Sequence, residues 1–444
     1  MNTPICDFVK KYSDSEPLRM HMPGHKGQQI LGIEQLDITE ISGADSLYEA
    51  DGIILESEHN ASYLFGCRTL YSTEGSSLCI RAMLYLVSLY AKRNGKKPLI
   101  ACARNAHKTL LSAAGLLDLD IDWIYSEKDV GYLSCDLTPN GIDAYLKSAS
   151  QKPVAVYLTS PDYLGSIADI RGISEVCHRH GVLLAVDNAH GAYLRFLPES
   201  MFPIDLGADI CCDSAHKTLP VLTGGAYLHL SAKLESAVGD QAKNALMLFG
   251  STSPSYLILQ SLDAANRALE VLPSRLKTAL PKIKAFKERI CERGFSLYGN
   301  EPLKITIAAK PYGYTGDRLA ELLRCENIEP EFSDPDHLTL MVSTDTDALM
   351  RLEKVLTGIP KKAPITERSP EFKVAKRAIS VREAMLSDTE VLPIDECIGR
   401  VLAVPTVGCP PAVPILVCGE EIDRHAVKCF EYYGITSCCV VRNK

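Results

Sequence analysis

"GVLLAVDNAH", residues 181–190, decides the fold. Val182 to Val186 are apolar without interruption, where a strand with one wet face would alternate, so a strand here must be covered on both sides. The run closes on a carboxylate, Asp187, with His190 three residues on. "PLIACA" (98–103), "VAVYLTS" (154–160) and "ADICCDS" (208–214) repeat the pattern. Helical spacing fills the gaps at 76–93, 106–116, 140–150 and 171–180. Strands alternating with helices predict an α/β fold with a mainly parallel, doubly wound sheet.

In such sheets ligands collect beyond the carboxyl ends of the strands. The polar residues following each strand therefore belong together: Arg104, Asn105 and His107; Thr159, Ser160, Asp162 and Tyr163; Asp187, Asn188 and His190; Ser214, His216 and Lys217. Lys217 leaves a buried strand just before Gly224-Gly225. Gly75, Ser76 and Ser77 open the apolar pattern at 76–93, and helix N–H groups with two hydroxyls make a phosphate cradle. A lysine for an aldehyde, a carboxylate for a protonated pyridine nitrogen and a phosphate cradle are the three requirements of a pyridoxal phosphate site. Each feature has a plainer reading: Ser76 or Ser77 as a helix cap, Asp187 as a cap or ion pair, Lys217 as a solvated head, His107 as a helix-terminal histidine bonded to backbone.

Composition narrows the remaining classes. The chain has 444 residues, 46% apolar and 23% charged, with a formal charge of −8. That balance lacks the basic stripe of a nucleic-acid binder. The longest apolar stretch, "AMLYLVSLYA" (82–91), is too short to span a bilayer and ends at Lys92-Arg93. The first residues, with Asp7, Asp14 and Glu16, do not read as a secretory signal, so the cytoplasm is expected. Sixteen cysteines contain no Cys-x-x-Cys pair and read as buried reduced thiols. No histidine pair has the spacing of a zinc hydrolase, so no metal is expected.

Beyond 255 a long helical pattern continues past Pro281, followed by a smaller α+β segment to about 360. "TGIPKKAPITERSP" (357–370) reads as a linker and the remainder as a small C-terminal domain whose Pro-rich stretch is extended. The expected division is an arm at 1–45, a large domain at 46–262, a small α+β domain at 263–360, and linker plus C-terminal domain at 361–444.

Several motifs in order carry a resemblance: "MHMPGHKG" (20–27), "DITEISGADSLYEADGII" (37–54), "ARNAHKTLL" (103–111), "TSPDYLG" (159–165), "VDNAHGAY" (186–193), "DSAHKTLPVLTGGAYLH" (213–229) and "STSPSYLILQSLDAA" (251–265). On these the chain resembles the ornithine/lysine/arginine decarboxylase family, pyridoxal phosphate enzymes of the aspartate-aminotransferase-like fold (fold type I). The resemblance implies a Schiff base at Lys217, Asp187 on the pyridine nitrogen and His107 on the ring face. It further implies Ser76, Ser77, Ser214 and His216 around the phosphate, Ala189 and His190 lining the ring, and a homodimer in which Thr252 and Ser253 reach the neighbour's phosphate.

The chain starts almost at the first motif, without the receiver-like wing of the larger bacterial members, so wing-mediated decamers are not expected. "GCPPAVP" has Cys409 and Ala412 where the family usually shows Tyr and Gly. The expected reaction is α-decarboxylation of arginine, lysine or ornithine to the di- or polyamine, with Lys217 or His107 returning the proton. Asp45, Glu49 or Asp51 are the candidates for the distal cation, although so acidic a run also suits a solvated loop. The rival readings are an aminotransferase or other lyase of this fold, which needs a clamp on the substrate carboxylate, and an inactive cofactor-binding regulator.

Overall fold

A computed structural model describes residues 1–126, 131–405 and 412–443; Cys409 lies outside them. Seven strands form the principal sheet: β1 (Arg68–Ser72), β2 (Leu99–Ala103), β3 (Asp120–Ile124), β4 (Ala155–Thr159), β5 (Leu183–Asp187), β6 (Ile210–Asp213) and β7 (Ala226–Leu230). Their order is β1-β7-β6-β5-β4-β2-β3. The fully apolar runs occupy the middle: every residue of β5 and β6 is buried. β3, at one edge, reads Asp-Ile-Asp-Trp-Ile, with Asp122 exposed. β5 and β6 are parallel, as are β2 and β3. β7 reverses, running antiparallel to both β1 and β6.

By internal contacts the chain divides into two compact units, each gathered from separated segments. The first comprises 1–98, 150–157 and 170–274, the second 99–149, 158–169 and 275–444. In the first unit α1 (Pro4–Asp14) has no side-chain cap of its own. Its first-turn amides, Ile5 and Cys6, donate instead to the buried Asp263 carboxylate at 3.0 Å each, which also accepts from Ser57 Oγ. A remote carboxylate thus supplies the acceptors a helix start requires. α2 (Ile53–Phe65) precedes β1, and α3 (Gly75–Arg93) follows it with Lys92 and Arg93 in the last turn, where cations complement the helix dipole.

The second unit contains α4 (Lys108–Leu117), α5 (Pro139–Ser148) and two smaller antiparallel sheets. One, from β8 (Ser296–Tyr298), β9 (Lys304–Ala308), β10 (Phe332–Ser333) and β11 (His337–Met341), has the order β10-β11-β9-β8. The other, from β12 (Thr389–Pro393), β13 (Leu402–Val404) and β14 (Ser437–Val441), has the order β12-β14-β13 and packs on Leu402, Ile422 and Phe430. The helix Tyr256–Glu292 runs through Pro273 as well as Pro281. Each proline forfeits one backbone bond, but buried side chains at Leu269, Leu276, Ala279, Ile283, Phe286 and Ile290 keep one face packed on both sides of them.

Candidate active site

Every expected site residue except His107 lies in the first unit. Because β5 and β6 are parallel neighbours with Asp187 in register with Cys212, Asp187 and Asp213 end adjacent strands one step apart. Lys217 follows β6 in the short helix α7 (Ala215–Thr218), and its Nζ lies 3.0 Å from His190 Nε2 in the turn after β5. Asp187 is 2% exposed. Its carboxylate accepts from Ala189 N at 3.1 Å and Tyr157 Oη at 3.3 Å, with Cys212 Sγ at 3.8 Å. Burial pushes its pKa up, and the Lys217 charge and these donors oppose that rise. A cation seated on it completes the compensation a buried carboxylate needs.

The turn between β1 and α3 is built on Gly75, with φ +71°, whose amide donates to Gly224 O at 2.7 Å. A Cβ on Gly75 would meet nothing within 4 Å, so the turn faces open space. Gly224, at φ +101°, touches the other side, since its Cβ would come 2.8 Å from Thr73 O. Ser214 Oγ donates to Ser76 Oγ at 2.7 Å, which brings two of the expected phosphate hydroxyls together, and Ser77 follows in the first turn of α3. His216 donates through Nδ1 to Gly225 O at 3.0 Å, fixing its ring. Ala189 is buried between Asp187 and His190. Thr252 and Ser253 are exposed in the loop before the long helix, where Ser251 N donates to Glu74 Oε1.

Asp45 ties its own loop together. It is 5% exposed, and its carboxylate accepts five backbone amides: Ser46 at 2.9 Å, Asp51 at 3.1 Å, Gly52 at 2.9 Å, Ile54 at 2.9 Å and Leu55 at 3.3 Å. Its oxygens close the loop and start α2, a structural task in place of the solvated loop an acidic run also suits. Glu49 and Asp51 are exposed. His107, in the second unit, is the N-cap of α4: Nδ1 accepts from Thr109 N at 3.2 Å. The neutral ring therefore carries its proton on Nε2. Ala412, where the resemblance has glycine, sits at φ +55° and accepts Lys108 N at 2.9 Å.

Sequence reasoning passed over Tyr157 and a buried cluster behind the strand ends. Asp213 Oδ1 accepts from Asn188 Nδ2 at 2.6 Å, and Asp213 Oδ2 lies 3.1 Å from His229 Nε2. The signal was His229 itself, an imidazole inside the strand "AYLHL".

A half-buried lysine, a carboxylate ending the preceding strand and an open glycine turn with paired hydroxyls suit pyridoxal phosphate. The donor set matches its aldehyde, ring nitrogen and phosphate, and with this sheet it defines a fold type I pyridoxal phosphate enzyme. The model for the Orn/Lys/Arg decarboxylase major domain matches residues 3–306 and that for the C-terminal domain residues 364–439. The chain belongs to the Orn/Lys/Arg decarboxylase family and is a pyridoxal phosphate-dependent decarboxylase of basic amino acids. It is 29% identical to the arginine decarboxylase of Bacillus subtilis (strain 168), over 96% of this chain and 92% of that one. It is 30% identical to the arginine decarboxylase of Halalkalibacterium halodurans, over 95% and 91%. Among solved structures, the Francisella novicida lysine decarboxylase superposes with a TM-score of 0.80 at 17% identity, covering 99% of this chain and 81% of that one. The Escherichia coli constitutive lysine decarboxylase gives 0.77 at 17% identity, covering 99% and 82%. No helix among the described residues is long and apolar enough to cross a membrane.

Proposed function

We propose that the substrate is arginine, lysine or ornithine, converted to the corresponding di- or polyamine, with arginine the first to test because both full-length relatives named above are arginine decarboxylases. The observation that carries this reading is Lys217 Nζ 3.0 Å from His190 Nε2, beside a buried Asp187. Pyridoxal phosphate supplies an aldehyde for the substrate amine and a ring that takes up the electron pair when the Cα–carboxylate bond breaks. The chain's own residues do the rest. Asp187 holds a proton on the ring nitrogen. Ser76, Ser77, Ser214, His216 and the first amides of α3 hold the phosphate. Lys217 Nζ, in contact with His190, returns a proton to Cα once carbon dioxide has left. His107 is assigned to the ring face by the resemblance. Reaction choice would follow from how these residues orient the substrate's Cα–carboxylate bond.

Glu49 remains the candidate for the distal cation. A homodimer with Thr252 and Ser253 reaching the neighbour's phosphate, the four-segment division and a cytoplasmic setting belong to the same reading. The last is supported by the lack of disulfides among the described residues. The deciding assay offers each basic amino acid to the purified holoenzyme and measures carbon dioxide and amine in equal amounts. Keto acid in place of carbon dioxide overturns the reading, as does normal turnover by Lys217→Ala.

A further inference from the structure

His229 and Asp213 are both 0% exposed and meet across the antiparallel strands β6 and β7. The ring's second nitrogen, Nδ1, lies 3.0 Å from Thr69 Oγ1, and Thr69 is the register partner of His229 on β1. The Thr69 hydroxyl donates to Cys67 O at 3.3 Å, so its oxygen is left to receive a proton from Nδ1. With Nε2 facing the Asp213 carboxylate, the ring has an acceptor beside each nitrogen, a setting that favours the imidazolium. Phe65 from α2, Phe202 and Tyr227 wall it in, with ring centroids 4.7, 5.0 and 5.7 Å away. The titratable groups facing it are Asp213 on β6, Cys67 at 3.8 Å beside β1, and Tyr227 on its own strand.

The other Asp213 oxygen holds Asn188, also 0% exposed and directly after Asp187. The turn that follows is wrapped around this amide. Gly191 N donates to Asn188 O at 2.7 Å, and a Cβ on Gly191 would fall 2.1 Å from Asn188 Oδ1. His190, the partner of Lys217, lies inside the same turn. On the other strand Asp213 precedes Ser214, which is bonded to Ser76. One carboxylate therefore fixes both strand ends that deliver the site. Without a cation behind it, Asp213 would also be a second buried anion next to Asp187.

We propose that His229 and Asp213 are positioning residues of the cofactor site, a buried imidazolium–carboxylate pair that anchors Asn188 and through its turn holds His190 against Lys217. This rests on the decarboxylase reading. The test uses holoenzyme carrying His229→Gln, Asp213→Asn or both, read by cofactor dissociation and by the pH midpoint of the visible absorption band, with circular dichroism confirming the fold. Each single variant is expected to weaken cofactor binding by about tenfold and to move the midpoint by about half a pH unit. The double variant is expected to recover part of the loss, because the two charges leave together. A folded single variant with wild-type affinity and midpoint overturns the proposal. In the cofactor-free protein, the ring nitrogens of His229 should both remain protonated at about pH 8 by nuclear magnetic resonance; a neutral ring there overturns it too. If the single variants do not fold, Thr69→Val removes the Nδ1 acceptor together with the bond to Cys67 O while leaving both charges in place, and an unchanged band midpoint in it is equally fatal. Wild-type protein without a cofactor band would instead sink the decarboxylase reading.

Discussion

Replacing Asp45 by alanine separates a structural carboxylate from one that binds substrate. The change deprives five amides of their acceptor, spread over the loop from Ser46 to Gly52 and the first turn of α2. Loss of a helix cap costs about 1 kcal/mol, and each further buried amide left unpaired adds about 1 kcal/mol, so about 4 kcal/mol is expected in total. With an unfolding entropy of about 2.1 cal/mol/K per residue over 444 residues, that sum corresponds to a fall in melting temperature of about 4 °C. Asp45→Asn keeps one carbonyl oxygen and should lose about half as much. The assay pairs calorimetric melting with KM for the preferred basic amino acid, which should change little once the protein is folded. A KM raised about 100-fold, the usual cost of removing one partner of a buried charge pair, with an unshifted melting temperature would refute this account.

Four further outcomes follow from the same structure. Burial lowers the pKa of His229, but the charge and hydrogen bond of Asp213 outweigh it and raise the value from 6.5 to about 9. Its contribution is therefore complete below about pH 6.5 and lost as pH rises through 9, amounting to about 3 kcal/mol at roughly 1.4 kcal/mol per pH unit; urea titrations from pH 6 to 10 should show this slope in the wild type and not in His229→Gln. Gly224→Ala forces a Cβ to 2.8 Å from Thr73 O at φ +101°, so a loss of about 2 kcal/mol in urea stability and weaker cofactor retention are expected. Asp263→Ala releases the first turn of α1, and trypsin should cut at Lys10 or Lys11 at about ten times the wild-type rate. Ala412→Gly relieves a left-handed residue at φ +55° and should raise stability by about 0.5 kcal/mol after the entropy of the added glycine is counted.

The central strands were legible because burial on both faces leaves an uninterrupted apolar run, as in β5. β3 was not, since "DIDWI" alternates like a half-wet strand, and "RTLYS" of β1 is too short and mixed to stand out. The reversal of β7 depends on the turn at Gly224 and leaves no trace in periodicity. Lys217, Asp187, Ser76 and Ser214 could be found because each sits next to a recognisable strand or turn. The commitment of Asp45 could not, because it depends on residues 51–55 folding back over one side chain. The Asp213–His229 pair was equally hidden: the two are 16 positions apart in sequence, and only the β6–β7 register sets them side by side.

The interleaving of the two units dictates an order of assembly during synthesis. Residues 99–149 emerge from the ribosome early, but their unit needs 275–444 to complete it, whereas the first unit has all its segments once residue 274 is free. The unit bearing Lys217 and Asp187 is thus expected to fold first, while residues 99–149 wait for the rest of theirs, and apolar surface exposed in that interval is what chaperones act on.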